Sequence, residues 1–242
     1  KILKFGGSSL GTPKSMQQVV NIIEDSAQNE RTIVVVSALG GVTDLLIDMA
    51  TKASRGEQAY KDILSLIESK HISTINTTIP AAVRSDVLTS FKLMLNELED
   101  VLQGVFLTRE LTAKTLDFIT GFGERFSASI LSEMINQTSL TAVFTDARTL
   151  LKTDRNFGNA RLLTAESFKN IRSYVENSTV DVMVVTGFIA STVEGESTTL
   201  GRGGSDYTAS IFGAALQADN IEIWTDVDGL MTADPRKVDR AF

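Results

Sequence analysis

Five short runs of β-branched and apolar residues recur along the chain, and each is largely continuous instead of alternating with polar positions. They cover residues 2–5, 32–37, 141–144, 180–185 and 221–224. Continuous apolar runs are typical of strands buried on both faces, as in a parallel sheet covered by helices. The runs therefore predict five strands of one central sheet.

Helical patterns separate these runs. Thr12 and Pro13 form a helix start, and apolar residues follow at positions 19, 20, 22 and 23. Thr43 is predicted to cap the next helix, and Ser205 to open the last one with positions 207, 211, 214 and 215 turned inward. Strands that alternate with helices imply right-handed crossovers. The predicted fold class is α/β, with a mostly parallel central sheet sandwiched by helices.

One long stretch contains helical patterns only. Residues 55–135 include an apolar stripe at positions 87, 91, 95, 98 and 102, but no run of the strand type. We therefore expect a helical insertion at about 55–135, after the second strand and packed against one end of the sheet. Residues 1–242 are expected to form one α/β domain that contains it.

The composition excludes several kinds of chemistry. The 242 residues include no cysteine and a single histidine, His71, so disulfides, thiolate sites and two-histidine metal sites cannot form. His71 lies among polar residues and is expected at the surface. The formal charge of −7 argues against nucleic acid as a partner. No apolar run approaches the roughly 18 residues of a membrane span. We expect a cytoplasmic protein that binds neither nucleic acid nor membrane.

Three glycine-rich segments follow predicted strands and precede predicted helices. They are residues 6–11, 37–41 and 201–206. Glycines before a helix N-terminus expose backbone N–H groups to anions, and the carboxyl ends of parallel strands meet at one sheet edge. With Lys4 and Arg202 beside them, these segments predict a polyphosphate site. Thr12 replaces the lysine of a P-loop and Phe126 the third glycine of a dinucleotide fingerprint, so neither motif applies.

Five sequence blocks resemble the aspartokinases of the amino-acid kinase superfamily. They are KFGGSSLG, SALGGVTD, GFGERFSA, TLGRGGSDYTA and WTDVDGLMTADPR, at residues 4–11, 37–44, 121–128, 199–209 and 224–236. The resemblance implies that ATP phosphorylates the side-chain carboxylate of L-aspartate to 4-phospho-L-aspartate, with Mg²⁺ bridging phosphate oxygens. It also implies a kinase domain that continues beyond residue 242, and the blocks lean towards the type fused to homoserine dehydrogenase. Edge strands and the helical insertion favour a homo-oligomer.

The resemblance assigns roles to the matching positions. Lys4 would neutralise the transferring phosphoryl group, and Asp206 would orient this lysine or the metal, for which no protein ligand is assigned. Arg202 would clamp a carboxylate of aspartate, and Glu124 would pair with its ammonium group. The implied nucleotide contacts are Gly6, Gly7, Ser8, Ser37, Ala38, Thr225, Asp226, Met231 and Arg236. The implied aspartate contacts are Thr43, Glu124, Phe188, Arg202 and Ser205.

Other interpretations stay open at this point. The chain could be a kinase for another amino acid, such as glutamate or acetylglutamate, or a regulatory module that binds a nucleotide or amino acid without turnover. Glu124 and Arg125 could also be a solvated pair on a helix surface. Arg202 and Asp206 could pair with each other, which would contribute little energy at an exposed site.

Overall fold

A five-stranded parallel sheet forms the centre of the protein. The computed structural model describes residues 1–28 and 30–225. Its central strands run in the order β3-β5-β2-β1-β8, and all neighbours are parallel. The strands are β1 (Ile2–Phe5), β2 (Thr32–Val36), β3 (Ala142–Thr145), β4 (Lys152–Thr153), β5 (Val182–Thr186), β6 (Ile189–Thr192), β7 (Ser197–Thr199) and β8 (Ile221–Trp224). The five predicted strands are confirmed, and none of their bounds shifts by more than two residues.

Helices cover both faces of this sheet, as the α/β prediction requires. They are α1 (Pro13–Ala27), α2 (Val42–Ser54), α3 (Tyr60–Thr78), α4 (Ala81–Thr108), α5 (Ala113–Thr120), α6 (Phe122–Ile135), α7 (Thr164–Glu176) and α8 (Gly204–Leu216). Side chains of β2 alternate between the two faces: Val34 and Val36 pack into the cluster with α1 to α6, and Ile33 and Val35 into the cluster with α7 and α8. The described chain between β2 and β3 contains helices and no strand. None of the described helices has the length and apolar composition needed to span a bilayer.

Residues at the helix starts agree only in part with the sequence prediction. Thr12 caps α1 as expected, because its hydroxyl accepts the Ser15 N–H at 3.1 Å and Pro13 occupies the first helical position. Thr43 does not cap α2, which begins one residue earlier behind Gly41 in the left-handed region at φ +80°. The loop after β2 turns so tightly that only glycine fits the cap position without strain.

The inward face of α8 also differs from the prediction. Tyr207 is 46% exposed and Ala214 is exposed, whereas Thr208 and Phe212 are buried. Ile211 and Ala215 are buried, as predicted. The buried face of α8 is centred on Thr208, Phe212 and Ala215, so the helical period places Tyr207 at its edge.

A second, small sheet was not predicted. It contains β4, β6 and β7 in the order β4-β6-β7, with β4 and β6 parallel and β6 and β7 antiparallel. Its strands are two to four residues long and rich in serine and threonine, so they lack a continuous apolar run. The hairpin of β6 and β7 leads from the end of β5 to the last glycine-rich segment.

The surface position expected of His71 is wrong. The side chain is fully buried in α3, with its ring centroid 5.4 Å from that of Phe91 and 5.0 Å from that of Phe126. Its Nδ1 lies 2.7 Å from the Ile67 carbonyl oxygen, and burial lowers the pKa of the imidazole to about 4. The helical period explains the error: position 71 shares a face with Ile67 and Ile75, whatever its neighbours in sequence are.

Candidate active site

A cavity of about 360 Å³ opens at the carboxyl edge of the central sheet. Loops that follow β1, β2 and β7 line it, together with Lys4 of β1, the starts of α2 and α8, and one residue each after β5 and from α6. This is the edge where open α/β sheets bind ligands. The cavity brings together most of the residues predicted from the sequence: Lys4, Gly7, Ser37, Ala38, Thr43, Glu124, Phe188, Arg202, Ser205 and Asp206.

Lys4 and Asp206 form an ion pair inside the cavity. Lys4 is 9% exposed on β1, and its Nζ lies 2.7 Å from Oδ1 of Asp206 in the first turn of α8. Asp206 therefore does not pair with Arg202. Arg202 is exposed at the rim and makes no ion pair within the part of the chain that the structure describes. Its guanidinium group is free to bind an anionic ligand.

Glu124 is the most perturbed acid of the site. Its side chain is 3% exposed, Oε1 accepts the Ala38 N–H at 3.2 Å, and Oε2 is buried without a hydrogen-bond partner. Burial raises the pKa of this carboxyl group to about 8, and the Ala38 hydrogen bond opposes the shift only in part. Glu124 is thus not a solvated surface residue. An unpartnered buried acceptor that lines a cavity is suited to a cationic ligand.

Arg125 takes a structural position next to Glu124. Its guanidinium group lies 4.4 Å from the centre of the Phe122 ring, and Nη2 lies 2.8 Å from Glu97 of α4. The two neighbouring charges therefore point in different directions, one into the cavity and one between helices.

The loops after β1 and β2 touch through their backbones. The Gly40 N–H donates to the Gly7 carbonyl at 3.0 Å. A Cβ atom on Gly7 would lie 2.9 Å from the Ala38 carbonyl oxygen, a distance that real Cβ contacts do not reach. Glycine is needed here because two backbones approach each other, which leaves no room for a side chain.

Two residues that the sequence reasoning missed hold the loop after β2. The Ser127 hydroxyl of α6 donates to the Ser37 carbonyl at 2.7 Å. The ammonium group of Lys70, on α3, donates to the Gly40 carbonyl. Ser127 lies inside the GFGERFSA block, where its position one turn after Glu124 was a usable signal. Lys70 lies outside every block, and only the packing of α3 against the loop reveals it.

The chain at the end of β5 is tightly packed and locally strained. Phe188 has φ +67°, which is uncommon for a residue with a side chain, and its N–H donates to the Thr208 hydroxyl at 3.1 Å. A Cβ atom on Gly187 would lie 2.7 Å from Cβ of Ser205. These contacts fix Phe188 and Ser205 on the same side of the cavity.

Some predicted residues lie elsewhere. Gly6 and Ser8 belong to the loop after β1 but do not line the cavity, and Ser8 is exposed. Thr225 lines a separate depression with Phe5 and Trp224. Three predicted nucleotide contacts lie outside the described residues: Asp226, Met231 and Arg236.

The chain is similar to known proteins over almost all of its residues. The model of the amino acid kinase family matches residues 1–241. The chain is 33% identical over 239 residues to bifunctional aspartokinase/homoserine dehydrogenase 2, chloroplastic, from Zea mays, covering 98% of this chain and 26% of that protein. It is 35% identical over 248 residues to aspartokinase 1, chloroplastic, from Arabidopsis thaliana, covering 99% of this chain and 42% of that protein.

A solved structure is similar as well. The crystal structure of aspartokinase III from E. coli in complex with aspartate and ADP superimposes with a TM-score of 0.87 at 29% identity, covering 99% of this chain and 52% of that one. The chain thus spans about a quarter of the bifunctional relatives and about half of the solved kinase. The match over almost all of its residues shows that the chain belongs to the amino acid kinase family.

Proposed function

We propose that the chain carries the aspartate kinase reaction, in which ATP phosphorylates the side-chain carboxylate of L-aspartate. The observation that carries the proposal is the buried, unpartnered oxygen of Glu124 in the same cavity as Lys4, Asp206 and Arg202. A site with one acceptor for a cation and separate cationic groups for anions suits an amino acid next to a polyphosphate. The similarity to aspartokinases supports this choice of acceptor.

The charges of aspartate match the two walls of the cavity. Aspartate presents two carboxylates and one ammonium group. Arg202 at the rim would clamp a carboxylate through two parallel N–H···O bonds. Oε2 of Glu124 would accept a hydrogen bond from the ammonium group, which would satisfy the buried acceptor and favour its ionised form.

Phosphoryl transfer asks little covalent chemistry of the protein. The β-carboxylate of aspartate is ionised at neutral pH because its pKa is about 3.9, so no general base is required. A carboxylate oxygen would form a bond to the γ-phosphorus while the bond to the bridging oxygen of ADP breaks. The Lys4 ammonium, held by Asp206, would balance the negative charge on the transferring group.

The site fits a nucleotide-bound Mg²⁺ better than a metal held by protein alone. Among the described residues, no group of three or more histidine or acidic side chains could hold a metal ion. Asp206, whose side chain is 48% exposed, is the carboxylate that would contact such an ion. When bound, Mg²⁺ would neutralise charge on the phosphate oxygens.

The other interpretations fit the cavity less well. Acetylglutamate has a blocked amine and would leave Oε2 of Glu124 without a partner. A module that only binds nucleotide would not require a buried lysine paired with an acid at the phosphate loops. Glutamate differs from aspartate by one methylene group, so only an assay separates the two.

The test is a direct assay of acyl phosphate. The full-length protein that contains this chain would be incubated with ATP and Mg²⁺, with hydroxylamine as the trap and L-aspartate, L-glutamate or acetylglutamate as acceptor. We expect product with L-aspartate alone, and a loss of that product in Glu124→Gln. Product with another acceptor, or with none of the three while ATP still binds, would contradict the proposal.

We further propose that the product enters lysine, threonine and methionine biosynthesis in the cytoplasm, and that the protein is a homo-oligomer. The fusion of aspartokinase to homoserine dehydrogenase in the maize relative supports the pathway. The absence of cysteine supports a reducing compartment. Cell fractionation and the mass of the native protein in solution would test the last two statements.

A further inference from the structure

A buried acid next to the cavity has no role in the chemistry described so far. Asp117 of α5 is 4% exposed. Its Oδ2 accepts the N–H groups of Gly158 at 2.8 Å and of Thr199 at 3.0 Å, and its Oδ1 accepts the Thr199 hydroxyl at 2.8 Å. Within the described residues Asp117 forms no ion pair. A buried carboxylate without a cation is costly, and these three hydrogen bonds offset only part of that cost, since burial still raises the pKa of Asp117.

The partners of Asp117 lead directly to Arg202. Thr199 ends β7, three positions before Arg202, and its carbonyl accepts the Ala160 N–H at 2.9 Å. Gly201, at φ +75°, packs so closely on Asn159 that an added Cβ atom would lie 2.5 Å from the amide oxygen. Residues 158–160 and 199–201 therefore form one packed unit, which is hydrogen-bonded to the Asp117 carboxylate through Gly158 and Thr199.

The other end of this connection leads to Glu124. Helix α5 ends at Thr120, and α6 begins at Phe122 after the single residue Gly121. A shift of α5 would thus move the start of α6, where Glu124 lies. Asp117 bonds the wall that carries Glu124 to the wall that carries Arg202 from a buried position, whereas the other link from α5, between Lys114 and Glu196, is an ion pair with an exposed lysine.

We infer that Asp117 is a positioning residue for the acceptor amino acid, because it fixes the distance between Arg202 and Glu124. The inference rests on the proposed function, since it assumes that these two residues bind opposite ends of one amino acid. The loops after β1 and β2 make no hydrogen bond to Asp117. They contact α6 through Glu124 and Ser127, so the nucleotide side of the cavity depends on Asp117 less directly than the acceptor side does.

The hydrogen-bond chemistry provides both a disruptive and a conservative variant. Asp117→Ala leaves three buried donors without their acceptor. Asp117→Asn can keep all three contacts: the amide oxygen would accept both backbone N–H groups, and the amide nitrogen would donate to the Thr199 hydroxyl. Thr199→Val removes the hydroxyl contact alone and keeps the shape of the side chain.

The experiment measures KM for aspartate and for ATP, and kcat, in the full-length protein. We expect the KM for aspartate to rise about tenfold or more in Asp117→Ala and severalfold in Thr199→Val, because misplacement by about 1 Å is costly for bound reactants. The KM for ATP should change much less, since its loops are coupled to Asp117 only through α6. Asp117→Asn should stay close to the wild type in all three constants. Should Asp117→Ala not fold, Thr199→Val and Asp117→Asn decide the question.

A matched control lies at the opposite edge of the sheet. Asp181, before β5, also accepts a backbone N–H and a threonine hydroxyl, both of Thr141 at 2.8 Å. Asp181→Ala should leave both KM values unchanged.

Each result has one meaning. Equal rises of both KM values in Asp117→Ala, or none, would overturn the positioning role, as would a large loss of kcat in Asp117→Asn. The wild type separates failure of the positioning role from failure of the proposed function. If the wild type forms no aspartate-dependent product, the proposed function fails.

Discussion

At the scale of single residues, the cavity contains a lysine that is paired with an acid, Lys4, and a buried glutamate with no cationic partner, Glu124. Lys4 is nearly buried, and its ammonium group is paired with Asp206. Oε1 of Glu124 accepts the Ala38 N–H, and burial raises the pKa of its carboxyl group to about 8. The ion pair is therefore set before ligands arrive, whereas the state of Glu124 depends on what binds.

Lys4→Ala should abolish most turnover while ATP still binds. Removal of the ammonium group takes away the charge that opposes the transferring phosphoryl group, and such losses are about 10³-fold in kcat. Steady-state kinetics and nucleotide binding would be measured together. Lys1→Ala is the control, because Lys1 is also ion-paired, to Glu222, at the other end of β1. Turnover near that of the wild type in Lys4→Ala would refute the role of Lys4.

The affinity for aspartate should increase with pH up to about 8. Free Glu124 is mostly protonated at neutral pH, and the ammonium group of the substrate requires the ionised form. Each pH unit below 8 should weaken binding by up to about tenfold, and aspartate binding at pH 7 should release close to one proton. Calorimetry in buffers of different ionisation enthalpy measures both quantities. Affinity that is constant between pH 6.5 and 8, or proton release retained in Glu124→Gln, would contradict this assignment.

At the scale of elements, the site depends on how closely α6 approaches the loop after β2. A Cβ atom on Gly123 would lie 2.7 Å from Cβ of Ala38 and 3.4 Å from Cδ1 of Leu46. The same helix provides Glu124 and Ser127 to that loop. Gly123, the second glycine of GFGERFSA, is thus required by helix packing and not by phosphate binding.

Gly123→Ala should therefore damage both stability and acceptor binding. Overpacking costs about 1–3 kcal/mol, and displacement of α6 should raise the KM for aspartate. Gly104→Ala is a matched control on α4, where an added Cβ atom meets nothing within 4 Å. Its helix propensity should raise the free energy of unfolding by about 0.5–1 kcal/mol. Denaturant unfolding and kinetics of both variants check the prediction, which fails if they behave alike.

The same scale shows what the sequence could and could not predict. The central strands β1, β2 and β5 were predictable because burial on both faces leaves continuous apolar runs. The edge strands β3 and β8 are less buried in the described part of the chain, and their apolar and β-branched residues alone indicated them. The small sheet was not, since its strands are short and polar and depend on pairing with each other. Strand ends and glycine loops located most of the site. The hydrogen bonds of Lys70 and Asp117 could not be predicted, because they join segments that are 30 to 82 positions apart in sequence.

At the scale of the whole molecule, two buried groups set opposite trends of stability with pH. His71 has a pKa of about 4 when folded against 6.5 when unfolded, so the unfolded chain binds the extra proton and stability is lost as pH falls from 6.5 to 4. Glu124 has a pKa of about 8 against 4.5, so the folded chain holds the extra proton and stability is lost as pH rises from 4.5 to 8. The two trends oppose each other between pH 4.5 and 6.5.

Single substitutions should separate these trends. Phenylalanine suits the pocket between Phe91 and Phe126 and does not titrate. Relative to the wild type, His71→Phe should therefore gain stability as pH falls from 6.5 towards 4. Glu124→Gln should gain stability as pH rises from 4.5 to 8, by at most about 1.4 kcal/mol per pH unit. Urea unfolding across this range, taken as variant minus wild type, removes the contribution of all other groups. Differences that do not change with pH would show that neither group is perturbed as described.

The separate origins of the two walls have an evolutionary consequence. The loops after β1 and β2 bond to each other through backbone atoms and leave no room for a side chain at Gly7, whereas Glu124 comes from a helix outside the sheet. A substitution at Glu124 removes one hydrogen bond to Ala38 but leaves the backbone contact between the two loops in place, so the acceptor side can change more freely than the phosphate side. In a fold built in this way, the specificity for the acceptor can diverge while the phosphate-binding loops keep their contact.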